Sequence, residues 1–205
     1  VMVRKRDASS PAPDPVVPTL NDAVPASDLG SACPVIDNGN WDYALSGSPF
    51  RFADFTVGET IDHVDGMTVE EAEHMIATRL YQNTAKVHFN QFTEGQGRFG
   101  RRLIYGGHVI SLARALSFNG LQNAFHIAAI NGGTHAATLF AGGTVFCWSN
   151  VTDTASLPGR SDVGAIRLTT IATVDRPSTD LPGRAEKGFE DGVLLELDYW
   201  ALVPR

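Results

Sequence analysis

The hydrophobic pattern of the chain changes near residue 105, from mixed segments to one apolar helix followed by strands. Residues 105–118 are apolar almost all round, which is typical of a helix that is buried on most sides. Five strand-like runs follow, separated by glycine pairs and polar stretches: 124–131, 134–140, 144–154, 163–175 and 191–203. One buried helix and an antiparallel meander predict an α+β fold, with the sheet wrapped around the central helix.

A second helix is predicted ahead of the central one. Thr68 and Glu71 have the spacing of a capping box at its start. Its apolar positions recur at helical spacing and predict a buried face made of Val69, Ala72, Ile76 and Leu80. His63 and His74 fall outside this pattern and are predicted to lie at the surface. Residues 81–102 lack periodicity and predict a loop that is long enough to suspect function.

The N-terminal part of the chain has a different composition. Residues 7–35 hold six of the eleven prolines, a content that favours extended chain and predicts a segment unable to bury a core. We therefore assign residues 7–49 to a Pro/Ala-rich linker. The alternating residues 1–6 suggest the last strand of a preceding domain, and the chain does not begin with Met. We expect a segment of a longer protein.

Composition and charge restrict the possible functions. The formal net charge of −7 disfavours nucleic-acid binding, because such a surface repels phosphate backbones. No apolar run is long enough for a membrane span. The two cysteines, Cys33 and Cys147, form no CxxC motif, and we expect reduced thiols in a cytoplasmic protein.

Three separated segments resemble the MaoC-like hydratases, in the order in which that family has them. Residues 52–59 (Phe-Ala-Asp-Phe-Thr-Val-Gly-Glu) resemble the family's opening turn, and residues 139–145 (Leu-Phe-Ala-Gly-Gly-Thr-Val) resemble the strand–turn–strand after its central helix. Residues 81–88 (Tyr-Gln-Asn-Thr-Ala-Lys-Val-His) resemble its active-site loop. The resemblance covers residues 50–205 and implies one hot-dog domain there. It also implies that residues 1–6 end a preceding hot-dog repeat.

The active-site loop keeps the family's histidine and changes its partner. By resemblance, His88 is the catalytic histidine, while Asn83 stands where the family has a catalytic aspartate, five residues earlier. Asn83 could hold the water while His88 makes both proton transfers. Alternatively, the carboxylate comes from Asp62, Asp65 or Glu94, or from another repeat. A third alternative is that this half of the protein has lost activity.

Hydration of an unsaturated thioester also needs donors for the thioester oxygen, where negative charge develops. Gly106 and Gly107 precede the buried helix, so their N–H groups fit this task, and the resemblance places Tyr105 in the same substrate site. Arg101 and Arg102 could bind CoA phosphates or the carboxylate of a dicarboxylic acyl group. We expect no metal, because the spacing of His108, His126 and His135 matches no metal motif, and no cofactor beyond the CoA of the substrate.

The wider segment 101–133 resembles one branch of the family, which carries two hot-dog repeats on one chain and acts on mesaconyl-CoA. The implied reaction is reversible addition of water to an α,β-unsaturated acyl-CoA, giving β-methylmalyl-CoA. Two alternatives stay open: an R-specific enoyl-CoA hydratase of other chain specificity, and a non-catalytic half that completes a pseudo-dimer. Hydrolysis is disfavoured because the first turn of the central helix has no carboxylate. The expected partners are an acyl-CoA and another hot-dog repeat, in cis or as a homodimer.

Overall fold

The computed structural model describes residues 7, 9–11, 16–35 and 37–205. The strand predicted at residues 1–6, as the end of a preceding repeat, lies outside the described residues. Within the described ranges, no helix combines the length and the apolar character that crossing a membrane requires.

Six antiparallel strands form one sheet: β1 Thr60–Asp62, β2 Met67–Thr68, β3 His126–His135, β4 Thr144–Ser156, β5 Val163–Val174 and β6 Val193–Pro204. The strand order is β1-β4-β5-β6-β3, and β2 also pairs with β4. The predicted antiparallel meander is thereby confirmed for its three last strands, which agree with the predicted limits to within a few residues.

The structure has one strand, β3, where the sequence predicts two after the central helix. The predicted break at Gly132-Gly133 is wrong, because both glycines pair with β6, opposite Asp198 and Leu197. The register of β3 shifts twice before this point, between Ile127 and Ala129 and between Ile130 and Gly132. Such bulges take up extra residues without ending a strand. The second predicted strand, 134–140, becomes mostly the loop that leads into β4.

In the described part of the chain, four α-helices accompany the sheet: α1 Tyr43–Ser46, α2 Glu71–Leu80, α3 Gln91–Glu94 and α4 Gly106–Leu116. Short 3-10 helices span Ala26–Ala32, Phe52–Asp54, Lys86–His88 and Ser178–Asp180. The central helix is α4, which buries Val109, Leu112, Ala113 and Leu116 against the inner face of the sheet. Burial of each Val or Leu side chain contributes about 1.5–3 kcal/mol. The predicted wrapping of a sheet around one buried helix is confirmed.

Of the predicted buried face, Val69 is buried just before α2 begins, but α2 itself turns its opposite face inward. Its buried residues are His74 and Thr78, whereas Ile76 is 55% and Leu80 73% exposed. Its capping box also lies two residues later than predicted, with Glu70 at the N-cap and Glu73 as the reciprocal partner. The physical reason is that α2 packs against polar side chains around the start of α4, so its own polar face is covered.

The second half of the predicted linker is docked on the outer face of the sheet. Leu29, in the 3-10 helix Ala26–Ala32, is only 1% exposed and packs in a cluster with Leu157, Val163, Ala165, Trp200 and Leu202. The backbone of Val24 accepts a hydrogen bond from Trp200 Nε1 (3.1 Å) and donates one to Asn131 Oδ1 (2.9 Å). The expectation that this segment cannot bury a core is therefore wrong from Val24 onward, because it uses a surface that the sheet already provides. Its role as a linker stays a prediction.

We expect Leu29→Ala to lower the free energy of unfolding by about 2–5 kcal/mol, since it leaves a cavity in a closed cluster. Urea denaturation followed by circular dichroism measures this change. The matched control is Leu20→Ala in the same segment, because Leu20 is 79% exposed and should contribute almost nothing. Equal effects of the two substitutions would contradict the docking of this segment on the sheet.

Candidate active site

Asn83 shapes the loop that leads to His88. Its Oδ1 accepts a hydrogen bond from the N–H of Ala85 at 2.9 Å, and its own N–H donates to Thr78 O at 3.0 Å. This local bond of an Asn side chain to the backbone two residues on stabilises a tight turn. Asn83 also lines a cavity of about 330 Å³ on the side of α2, together with Met75, Thr78, Arg79, Gln82 and Phe89. The Asn83 side chain therefore stabilises the turn of the loop that leads to His88.

His88 ends the 3-10 helix Lys86–His88 and is half-buried. Its Nδ1 lies 3.1 Å from the carbonyl oxygen of Leu103, and the N–H of Leu103 donates to Val87 O at 3.0 Å. Because a carbonyl oxygen only accepts, Nδ1 carries the hydrogen, and Nε2 of the neutral ring keeps its lone pair. The ring centroid lies 5.7 Å from that of Tyr105, at an interplanar angle of 61°. The fold therefore brings a fixed base next to the start of the central helix.

The N-terminus of α4 carries unused hydrogen-bond donors. Tyr105 is the N-cap, and its carbonyl oxygen accepts from the N–H of His108 at 2.9 Å. Within the described residues, the N–H groups of Gly106 and Gly107 make no hydrogen bond. Together with the helix dipole they favour negative charge. The structure therefore brings Tyr105, Gly106, Gly107 and His88 together, as the sequence predicts.

A residue that sequence reasoning missed lies against Gly106. A Cβ atom added to Gly106 would sit 2.8 Å from Nε2 of His135, at the end of β3, which is closer than real contacts allow. The His135 side chain is exposed to solvent, and partial desolvation lowers its pKa. No sequence signal could have found this contact, because the two residues are far apart in the chain and meet through the sheet. Glycine at position 106 leaves room both for this ring and for a ligand.

The two predicted arginines have different environments. Arg102 is mostly covered, forms an ion pair with Glu71, and directs Nη1 at Met75 Sδ at 2.9 Å. Its guanidinium is therefore engaged within the chain, and it ties the loop to α2. Arg101 instead stacks on the ring of Phe140, with 3.8 Å from its Cζ to the ring centroid. It lines an open cavity of about 430 Å³ with the backbone of residues 138–143 and with Val174 and Asp175.

His74, predicted at the surface, is fully buried beside this site. Its ring centroid lies 6.3 Å from that of His88 and 6.4 Å from that of His108. Burial, and then the positive charge that His88, His108 and Arg102 can carry, lowers the pKa of His74 to about 4. His74 is therefore neutral near neutral pH. The sequence predicted a surface position for His74 because its helix is rich in glutamate.

A carboxylate also lies near this cluster. Glu73 precedes His74 in α2, and its Oε1 lies 3.2 Å from Nε2 of His108. Of the carboxylates that the sequence suggested, Asp62 accepts from the N–H of Val64 at the edge of the sheet, and Asp65 follows in the same turn. Glu94 belongs to α3, which packs on the 3-10 helix of His88. Sequence reasoning missed Glu73 because the face of α2 on which it lies was predicted to point to solvent.

His63 is the second histidine wrongly predicted at the surface. Its Nδ1 donates to Asn119 O at 2.6 Å, and its Nε2 accepts from Ser149 Oγ at 2.8 Å. Ser149 Oγ lies 2.7 Å from Thr170 Oγ1, which lies 3.1 Å from the Tyr199 hydroxyl. Burial lowers the pKa of His63, so the neutral ring fits these partners. Its partners join the end of α4 to the sheet, which makes His63 structural.

No group of three or more His, Cys, Asp or Glu side chains in the described parts of the chain is arranged to hold a metal ion. The absence of a metal stays a prediction. Cys147 is buried, and burial raises the pKa of its thiol to about 12, so it carries no thiolate near neutral pH.

A sheet wrapped around one buried helix defines a hot-dog domain. Comparison with solved structures confirms this class. A crystal structure of a MaoC domain protein dehydratase from Chloroflexus aurantiacus J-10-fl matches 99% of this chain and 58% of that chain, with a TM-score of 0.91 and 55% identity. A double hot-dog protein from Mycobacterium tuberculosis matches 84% of this chain and 48% of its own, with a TM-score of 0.57 and 21% identity, which shows the fold alone.

Two curated relatives match the whole of this chain. The β-methylmalyl-CoA dehydratase of Chloroflexus aurantiacus is 56% identical over 206 residues, and the mesaconyl-CoA hydratase of Cereibacter sphaeroides is 56% identical over 212 residues. The chain covers 58% of the length of each relative. No family model matches the chain. The similarity to MaoC-like hot-dog proteins that the motifs implied is confirmed by these relatives over the whole of this chain.

Proposed function

We propose that this protein reversibly adds water to mesaconyl-CoA and forms β-methylmalyl-CoA. Its identity to two relatives named for the two directions of this reaction supports the substrate. One structural observation carries the chemistry. His88 is fixed through Nδ1, with Nε2 left as a base, beside a helix start whose N–H groups of Gly106 and Gly107 make no hydrogen bond.

The first step assigned to this site is polarisation of the thioester. Its carbonyl oxygen accepts hydrogen bonds from the N–H groups of Gly106 and Gly107, where charge develops as the enolate forms. Donors of this type lower a barrier most when they are held in place before the reaction, and removal of one costs about 100- to 1000-fold in kcat. Both donors belong to the first turn of a buried helix, so the core of the domain holds them rigidly.

The second step is proton transfer. His88 Nε2 takes a proton from water while the water oxygen bonds to Cβ, and the electron pair of the C=C bond moves toward the thioester. The same proton, or one exchanged with solvent, then goes from His88 to Cα. Water is added across the double bond without any change of redox state, so the only cofactor chemistry involved is the CoA of the substrate. General acid–base catalysis of this type supplies about 100- to 10,000-fold.

We propose that Arg101 binds the CoA part of the substrate. The net charge of the chain is −7 and attracts no anion over long range, so a local cation has to bind the CoA phosphates. Arg101 is exposed beside the cavity formed by residues 138–143.

We also propose that a second hot-dog repeat, in cis or from another copy, completes the assembly, and that the protein is cytoplasmic. The exposed apolar side chains of Ile76 and Leu80 on α2 are consistent with such a partner.

The test is a side-by-side assay of the purified protein with mesaconyl-CoA, crotonyl-CoA and fumaryl-CoA, followed by loss of the enoyl-thioester absorbance. We expect mesaconyl-CoA to give the highest kcat/KM. Preference for crotonyl-CoA would favour the R-specific enoyl-CoA hydratase instead. Absence of turnover with all three esters would contradict the proposed function and favour a non-catalytic hot-dog half.

Asn83→Ala is expected to lower kcat about 10-fold while the melting temperature changes little, because the turn that positions His88 loses its side-chain hydrogen bond. Asn83→Asp keeps an acceptor at the same place and should keep kcat within a few-fold of the wild type. Steady-state kinetics and thermal denaturation of both variants measure this. A lower melting temperature of Asn83→Ala with unchanged kcat would show that Asn83 serves stability alone.

A further inference from the structure

His74 has two buried ring nitrogens that make no hydrogen bond within the described chain. The side chain is 0% exposed, and neither Nδ1 nor Nε2 has a partner. A neutral imidazole has one N–H donor and one acceptor nitrogen. Nearly all buried polar atoms in proteins are satisfied, either by protein groups or by ordered water. The His74 ring therefore indicates a small hydrogen-bonding partner inside the site.

The neighbouring rings show where this partner lies. The rings of His74 and His88 are almost perpendicular, at 82°, with centroids 6.3 Å apart. This separation is too long for a direct hydrogen bond between the rings, and it fits one bridging water. Since Nδ1 of His88 is held by Leu103 O, only Nε2 of His88 can bond to such a water. That nitrogen is the base in the hydration proposed above.

We propose that His74, together with His88, holds the reacting water. In the family's loop motif an aspartate stands at the position that Asn83 occupies here, so this chain needs another residue for that task. The inference rests on the proposed function. One O–H of the water donates to His88 Nε2 and the other donates to a ring nitrogen of His74, which leaves the oxygen lone pairs for attack on Cβ. His88 takes the proton as the C–O bond forms, and His74 stays neutral throughout.

The charges around His74 agree with this role. Its ring faces His88 from the loop, His108 from α4, Arg102 from the segment before α4, and Glu73 on its own helix. Burial and the three possible cations lower the pKa of His74 to about 4, whereas Glu73 opposes the shift. His74 therefore accepts a hydrogen bond from water near neutral pH but does not take the proton. The surroundings of His74 therefore suit a neutral hydrogen-bond acceptor, and the role of base is left to His88.

The test compares His74→Phe, which keeps an aromatic ring and removes both nitrogens, with His74→Asn, which keeps a hydrogen-bonding group. We expect His74→Phe to lower kcat for mesaconyl-CoA about 10- to 100-fold with KM within about three-fold. His74→Asn should recover part of the loss. The melting temperature of His74→Phe should not fall, because an apolar ring suits a buried site without protein hydrogen bonds. His126→Phe, at the other end of β3, is the control.

Two results would overturn this role. One is a His74→Phe variant that retains kcat within two-fold. The other is a parallel loss of kcat and melting temperature that His74→Asn does not rescue. Nuclear magnetic resonance of the resting wild type gives a readout independent of turnover, through an Overhauser contact between the His74 ring and a bound water. If the wild type hydrates none of the esters, the proposed function fails, and absence of that contact would separately exclude the water at His74.

Discussion

Replacing His88 with alanine is expected to lower kcat for mesaconyl-CoA about 100-fold or more, because the base that activates water is lost. The fold should tolerate the change, since His88 is half-buried and the hydrogen bond of its side chain, to Leu103 O, ties a loop and not the core. Steady-state kinetics, with thermal denaturation to confirm folding, measure the effect. KM should change little, because the substitution leaves the proposed donors to the thioester, the N–H groups of Gly106 and Gly107, in place.

His126→Ala is the matched control for this substitution, because His126 begins β3, nine residues from His135 and the site end of that strand. It should leave kcat within two-fold of the wild type. Near-normal loss of the enoyl-thioester absorbance in His88→Ala would remove His88 from the mechanism. Catalysis would then have to come from another group, with the neighbouring pair of Glu73 and His108 as the first candidate.

Gly106→Ala is expected to lower kcat/KM about 100-fold, because a methyl group at the helix start blocks the approach of the thioester oxygen to its donors. An added Cβ would lie 2.8 Å from Nε2 of His135, which is the far end of a side chain and can move. The melting temperature should therefore stay close to that of the wild type. Gly30→Ala is the control, because a methyl there meets open space and the backbone conformation allows it.

The double variant Gly106→Ala/His135→Ala separates two explanations of this loss. If the methyl acts by blocking the N–H groups, activity stays low when His135 is removed. If the methyl acts only by pushing the His135 ring into the site, activity returns in the double variant. Recovery of wild-type kcat/KM would contradict the role of the helix N-terminus in binding the thioester.

The sequence predicts correctly those helices and strands whose own residue pattern is sufficient to identify them. Helix α4 is apolar almost all round, so any fold must bury it, and β4, β5 and β6 are long apolar runs bounded by turn residues. The break predicted within β3 failed because glycine pairs also occur inside strands where bulges bend the backbone. The docking of Leu29 was invisible because its partners are supplied by a distant sheet surface.

The residues of the candidate site also fall into those that local sequence identifies and those that it does not. His88 and Gly106 were found because a loop motif and a helix start can be recognised from neighbouring residues. His74 and Glu73 were missed because the spacing of Ile76 and Leu80 predicts the wrong buried face for α2. A helix normally buries its apolar side, whereas α2 covers the polar side chains of the candidate site. Such a departure from the rule is expected at functional sites.

Mass spectrometry of the product formed from mesaconyl-CoA in water labelled with both ¹⁸O and deuterium tests the proposed reaction most directly. Hydration at this site predicts a product that retains CoA, with one ¹⁸O at Cβ and one deuterium at Cα, and loss of both labels from the product pool when His88 is replaced by alanine. Release of free CoA with ¹⁸O only in a new carboxylate would show hydrolysis, and an unlabelled ester would show no reaction. Either result would contradict the assignment of this domain as a hydratase.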